Sequence, residues 1–187
     1  MSPQQDEHDL VRCASRGDAE AFGALVSNWE KRIYNYLLRF APDPEEAFDL
    51  AQETFLKAYQ NLHRLDDPAR WAPWLYRIAH NEAISLLRKR RPDGEMPEQI
   101  ADESLSLGMA PVETSLAVNK ALRFLPADQR QAVWLKVCEG FKFEEIAVIV
   151  DAPVSTVKSR VYTALDTMRG VLGPAVSPGE ADPEAPV

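Results

Sequence analysis

The sequence predicts an all-α protein, and three observations carry that reading. Apolar side chains recur at three- and four-residue steps over long stretches. Strict alternation of Val, Ile and Thr, the mark of strands, is missing. The 8 glycines and 14 prolines are sparse within the periodic stretches, the prolines falling mostly between them. A chain of 187 residues, 45% hydrophobic and 27% charged, can build one or two small cores, which excludes a collagen-like, mucin-like or wholly disordered protein.

Residues 1–17 form an N-terminal extension, expected to be partly helical. A first domain then spans 18–91. Asp18 is a suitable N-cap, and Phe22, Leu25, Val26, Trp29, Ile33, Tyr36, Leu37 and Phe40 mark one buried stripe of a long helix. That helix is expected to end near the Ala-Pro-Asp-Pro turn at 41–44, where Asp43 caps a new one. Pro44 suits its first position, and Glu45 and Glu46 suit its positive N-terminal end. This second helix runs to about Leu62, with Ala47, Phe48, Ala51, Phe55, Ala58, Tyr59 and Leu62 on its inward side. The loop HRLDDPAR leads to a third helix over about 71–91, where Pro73 is tolerable because it falls in the first turn.

Residues 92–112 hold Pro92, Pro97 and Pro111 with Asp93, Glu95, Glu98, Asp102 and Glu103 and no basic residue, so they are expected to form a flexible acidic linker. A second domain at 113–170 is expected to carry helices near 112–124, 127–139, 142–150 and 155–169. A disordered tail follows at 171–187.

Net charge is −8, which speaks against a free-standing duplex binder, because phosphate binding is driven by Lys and Arg. The charges are nevertheless sorted: Arg88, Lys89, Arg90 and Arg91 form a basic run directly before the acidic linker. No stretch approaches the ~18 to 20 apolar residues of a membrane span, and the acidic, polar start MSPQQDEHDL is unlike a signal peptide, so a cytoplasmic location is expected. Cys13 and Cys138 form no ligand pattern with His8, His63 and His80. Neither metal nor cofactor is expected, and the thiols read as ordinary packing residues.

Three constellations carry functional information. In FKFEEIAVIVDAPVSTVKSRVYTALDTMR, two apolar-periodic helices are separated by Asp151, Ala152 and Pro153, the spacing of a helix-turn-helix. Val157, Val161, Ala164, Leu165 and Met168 define the packed side of the last helix. Ser155, Thr156, Ser159, Tyr162 and Thr163 are left to reach base edges, with Lys158 and Arg160 beside them for phosphates. On the third helix, Trp74, Arg77, Asn81, Ser85 and Arg88 share a side distinct from Leu75, Ile78, Ala79, Ala83 and Leu86. Ring, amide and guanidinium in one row suit single-stranded nucleic acid, with Lys89, Arg90 and Arg91 extending the charge. Trp71 and Trp74 serve equally as core anchors at a helix start. On the second helix, Asp49, Gln52, Glu53 and Gln60 surround an outward Leu56, a pattern that fits a partner helix with a basic rim. Asp49 and Glu53 have no neighbouring nucleophile, base or metal spacing, so no catalytic residue is assigned.

The segments DLAQETFLKAY, WLYRIAHNEAISLLRKRR, LPADQRQAVWLKVCEGFKFEEIA and PVSTVKSR, in that order, resemble an extracytoplasmic-function sigma factor over nearly the whole chain. The resemblance implies a promoter-specificity subunit, not an enzyme. Its region-2 domain would dock Asp49, Gln52, Glu53, Leu56 and Gln60 on the beta-prime clamp helices of RNA polymerase core, the beta subunit being a further contact. It would open the −10 element with the row from Trp71 and Trp74 to Arg91. Region 4 would read the −35 element of promoter DNA through the helix from Ser155, and an anti-sigma factor would cover the polymerase-facing surfaces. The chain departs from many relatives in having Ser155 where a glycine is common, and a run from Tyr162 to Asp166 without a positive charge where relatives are more basic. The residues alone leave two other readings open: a stand-alone helix-turn-helix regulator with an oligomerisation domain, and a helical adaptor that binds only proteins.

Overall fold

The computed structural model describes residues 3–41, 43–90, 121–122 and 124–172, and among these every regular element is helical. Seven α-helices follow in order: α1 (Pro3–Ser15), α2 (Ala19–Leu37), α3 (Pro44–Asn61), α4 (Trp71–Arg90), α5 (Ala127–Val137), α6 (Phe143–Ile149) and α7 (Val154–Leu172). Two short 3-10 turns, Leu62–Arg64 and Pro68–Arg70, occupy the expected loop before α4. The expected linker at 92–112, most of the helix near 112–124 and the tail from 173 lie outside the described residues. Residues 171 and 172 belong to the end of α7 rather than to a tail.

Local chemistry sets the helix starts. The Asp18 carboxylate accepts from the Glu20 and Ala21 amides, both at 3.0 Å, and Asp43 accepts from Glu46 at 2.8 Å with Pro44 in the first turn of α3. Gly17, at φ +95°, makes the tight turn that folds α1 back onto α2. Val11 and Ala14 of α1 are buried there, and Glu7 accepts the Trp29 indole N–H at 2.8 Å.

α2, α3 and α4 pack on one another, and the stripe from Phe22 to Phe40 is buried as expected, with Val26 at its edge. α3 differs from expectation: Phe48 and Tyr59 are 55% and 46% exposed. The reason is that Ala47, Ala51 and Ala58 make a narrow contact stripe. The helix lies close to its neighbours, which cover less of its circumference than a stripe of large residues requires. Tyr59 keeps an edge contact to Phe22, with ring centroids 5.0 Å apart. Both cysteines are free and exposed, so neither is a packing residue.

In the C-terminal module, α5 packs on α7 and α6 joins both. Gly140, at φ +76°, closes α5, and Asp151, at φ 51°, makes the turn between α6 and α7. Aspartate is one of the few side chains that occupies this left-handed region at small cost. α5 is buried nearly all round, through Ala127, Arg130, Gln131, Ala132, Val133, Trp134 and Leu135. A helix buried on every side has neighbours on every side. One flank of α5 packs on α7, the other turns Gln131 and Trp134 toward Tyr36, His80 and Arg39 of the N-terminal module, α6 packs on α4, and the buried apolar residues of both modules form a single cluster.

Candidate nucleic-acid and partner interfaces

The row on α4 depends on how its first turn is held. Trp71 is fully buried, with an edge contact to Phe22 at 6.5 Å, and it lies 5.7 Å from Trp74 with the rings tilted by 37°. Trp71 is therefore a support and not a surface for a base, because no ligand reaches its ring. Trp74 is half-buried, its ring fixed from one side by Trp71, while Arg77, Asn81, Ser85, Arg88 and Lys89 are exposed along the same side of the helix. The Arg90 side chain and Arg91 lie outside the described residues. A fixed ring, an amide and two guanidinium groups on one rigid helix can stack a base, read its edge and hold its phosphate.

α7 is placed by the Asp151 turn. The Ala152 amide donates to the Ala147 carbonyl at 3.1 Å, and Val157 donates to Pro153 at 3.0 Å, which starts the helix immediately after the turn. Val157, Val161, Ala164 and Met168 are buried, which leaves Ser155, Lys158, Ser159, Tyr162 and Thr163 exposed and Thr156 half-buried. Arg160 is turned toward Asp128 of α5 and paired with it, so its charge buttresses the module as well as facing outward.

A cluster that sequence reasoning missed lies beside this helix. Lys136 and Lys158 place their ammonium groups 4.8 and 5.6 Å from the Phe143 ring, and Phe143 lies 6.0 Å from Tyr162. Two cations on an aromatic pair suit a nucleic-acid backbone. Lys136 and Phe143 come from α5 and α6, so nothing in the periodicity of α7 announces them.

On α3, Asp49, Gln52 and Gln60 are exposed, and Leu56 is 50% exposed among them. Glu53 is half-buried and paired to Lys57 at 3.3 Å, and Lys57 in turn reaches Glu82 of α4 at 2.7 Å. Beside this face, Phe48 and Phe55 with Val26 and Tyr34 of α2 line an open, mainly apolar groove of about 600 Å³. Val26, Tyr34 and Phe48 are further residues that the sequence pattern did not single out as functional.

The two modules meet through polar groups as well as the shared core. Gln131 of α5 donates from Nε2 to Tyr36 Oη and to His80 Nδ1, both at 2.7 Å. Accepting that bond requires a neutral imidazole, and burial pushes His80 down to about 4, against the opposing pull of Asp128 and Asp151. Arg39 is 5% exposed and lies 4.0 Å from the Trp134 ring centroid. Burial lowers its pKa to about 10, so it stays charged. Arg32 donates to Glu139 at 2.8 and 3.2 Å, and Tyr76 meets Phe141 at 5.0 Å. Among the described residues, no three His, Cys, Asp or Glu side chains are placed to hold a metal, and no helix is long and apolar enough to cross a membrane.

Comparison with known proteins places both modules. The family model Sigma-70 region 2 matches residues 25–92, and the model Sigma-70, region 4 matches residues 115–168. The RNA polymerase sigma-H factor of Pseudomonas aeruginosa is 34% identical over 188 residues, covering 93% of this chain and 97% of that protein. The ECF RNA polymerase sigma-E factor of Escherichia coli K12 is 32% identical over 190 residues, covering 94% and 99%. Among solved structures, the sigma factor RpoE in complex with the anti-sigma factor NepR from Bartonella quintana is 28% identical. It superposes with a TM-score of 0.66 over 82% of this chain and 98% of that one. CnrH in complex with the cytosolic domain of CnrY shares the fold, with a TM-score of 0.65 at 24% identity over 89% and 97%.

Proposed function

We propose, from the premise that this chain belongs to the sigma-70 family as an extracytoplasmic-function sigma factor, a specific division of labour among its surfaces. The protein is a promoter-specificity subunit and not an enzyme; the chemistry of RNA synthesis belongs to the polymerase. The outward face of α3, centred on Leu56 and framed by Asp49, Gln52, Glu53 and Gln60, docks on the clamp helices of the polymerase beta-prime subunit. The row Trp74, Arg77, Asn81, Ser85 and Arg88 on α4 holds the melted strand of the −10 element, with Lys89, Arg90 and Arg91 adding charge. The exposed side of α7, from Ser155 to Thr163, reads the −35 element, with Lys136 and Phe143 beside it on the backbone. The domain limits 18–91 and 113–170 and the acidic linker between them are part of the same proposal. So is an anti-sigma factor as a regulatory partner, which is how the RpoE relative is described.

The observation that carries this reading is the geometry of α4, where a half-buried tryptophan backed by a second, fully buried one stands in line with exposed Arg77 and Asn81. The exposed amide of Asn81 in line with the ring and the guanidinium groups adds a base-edge reader, which favours a nucleic-acid strand over a protein-only surface. Net charge −8 explains why two DNA-reading modules work only when mounted on the polymerase, which supplies affinity and fixes their separation. The test is transcription with purified core enzyme and permanganate footprinting. Arg77→Ala and Asn81→Ala are expected to abolish promoter opening while the chain still co-elutes with core. Normal opening by both variants refutes the assignment, and tight, specific duplex binding by the free chain refutes the dependence on polymerase.

A further inference from the structure

We propose that Lys57 is a positioning residue for the strand-binding row. From the polymerase-docking helix α3 its ammonium neutralises Glu82 of α4 and fixes α4 against α3, so that the docking face and the strand row are joined through one cation. This rests on the readings of α3 and α4 given above and extends them by naming the group that ties one surface to the other.

The first support is geometric. Lys57 Nζ lies 2.7 Å from Glu82 Oε1 and 3.3 Å from Glu53 Oε1, so a single ammonium serves both helices. Glu53 belongs to the docking face, whereas Glu82 directly follows Asn81 and stands one turn before Ser85. The Glu82 side chain is 16% exposed, against 45% for Glu53. The bond to Glu82 is also the largest influence raising the Lys57 pKa, ahead of Glu53. Lys57 is thus held chiefly across the junction of the two helices, and its pair with Glu53 is the looser one.

The second support is what Glu82 does without its cation. It then sets an unbalanced negative charge beside a row that binds phosphates, and water screens it poorly because most of the side chain is covered. Apolar packing does not replace the bond. Ala47, Ala51 and Ala58 form the buried stripe of α3, and small side chains let helices approach closely while offering few ridges that stop one from sliding on the other. A pair with a 41% exposed lysine adds little to global stability, so its contribution lies in the placement and charge of α4. A basic partner that engages Glu53 releases Lys57 wholly to Glu82. Docking then tightens the hold on α4, and by linkage a bound strand strengthens docking in equal measure.

The test uses the full chain with purified core polymerase and the variants Lys57→Met, Glu82→Gln and Lys57→Met/Glu82→Gln. Fold is read by circular dichroism, core affinity by anisotropy of the labelled chain, and strand affinity by anisotropy of a fluorescein-labelled A/T-rich single-stranded 12-mer at saturating core. Lys57→Met is expected to keep its melting temperature and its core affinity within about twofold, and to lose about tenfold in strand affinity. Glu82→Gln alone is expected to bind the strand like the wild type, and the double variant is expected to recover to within about threefold, because the uncompensated charge is gone. The rise in core affinity that the 12-mer produces is expected to shrink about fivefold in Lys57→Met. Unchanged strand affinity in Lys57→Met overturns the proposal, and so does a loss that persists in the double variant, which marks a merely structural lysine. An unchanged rise in core affinity overturns the link between the two surfaces. Should Lys57→Met fail to fold, Lys57→Arg carries the comparison, with wild-type strand affinity expected and a tenfold loss overturning the role of the charge. Trp74→Ala and Asn81→Ala in the same assay keep the two readings apart: if they weaken strand binding while Lys57→Met does not, this proposal alone falls, and if they too are without effect the α4 reading falls with it.

Discussion

Acidification from about pH 8 to pH 5 is expected to part the modules, with His80 as the responding group. In the closed chain the ring accepts a hydrogen bond from Gln131 and its pKa lies at about 4, below the ordinary 6.5, because burial disfavours the charged form. Asp128 and Asp151 pull the other way, less strongly than burial, and Arg88 and Arg160 line the same cleft. Once the modules separate, the ring regains water and its ordinary pKa. A depressed histidine pKa means that the closed form binds fewer protons between about pH 4 and 6.5. Closure is therefore at full strength above pH 6.5 and weakens as pH falls toward 4. At pH 5 the two protonation equilibria differ by roughly thirtyfold, about 2 kcal/mol in favour of opening. The check is scattering or intramolecular energy transfer across pH 8 to 5, for the wild-type chain and for His80→Gln, which cannot titrate. Expansion of the wild type with no pH response in the variant is the expected result. An identical response in both removes His80 from the explanation.

Three further outcomes follow from the surfaces. Leu56→Arg is expected to weaken co-elution with core polymerase by at least about tenfold, the effect of a central apolar contact, while the melting temperature stays unchanged because the residue is half-exposed. Arg160→Ala is expected to reduce occupancy of the −35 element by about 1 to 3 kcal/mol in a footprinting titration, with little effect on melting of the −10 element. Its cost to fold stability is expected to be below about 1 kcal/mol, because Asp128, the partner it leaves, is 40% exposed. The adjacent tryptophans separate in opposite directions. Trp71→Ala is expected to cost about 3 to 5 kcal/mol in chemical denaturation. Trp74→Ala is expected to spare most of the stability and to lose about 1 to 3 kcal/mol of strand affinity.

Much of the fold was legible because its signals are local. Asp18 and Asp43 cap the helices they were expected to cap, and the stripe from Phe22 to Phe40 reports one buried face. The Asp151–Pro153 turn is announced by the break between two periodic runs. The chemistry types along α4 and α7 were readable for the same reason, since helical period alone decides which residues share a side. What was not legible depends on distance in the chain. Tyr36, His80 and Gln131 are separated by 44 and 51 residues; Tyr36 reads only as one more member of a buried stripe, and nothing local marks His80 and Gln131 as its partners. Phe48 and Tyr59 were assigned inward because a wheel shows the direction of a side chain and not how much of that direction a neighbour covers. The aromatic-basic cluster of Lys136, Phe143, Lys158 and Tyr162 draws on three helices and has no signature in any one of them.

The enclosure of α5 on both flanks creates a liability in any molecule whose modules part. Its Gln131 and Trp134 flank, stripped of cover, becomes a sticky ledge in water, so such a molecule either snaps shut again or is lost to clumping and proteases. The covered flank is thus also what keeps the chain from associating through its own interior.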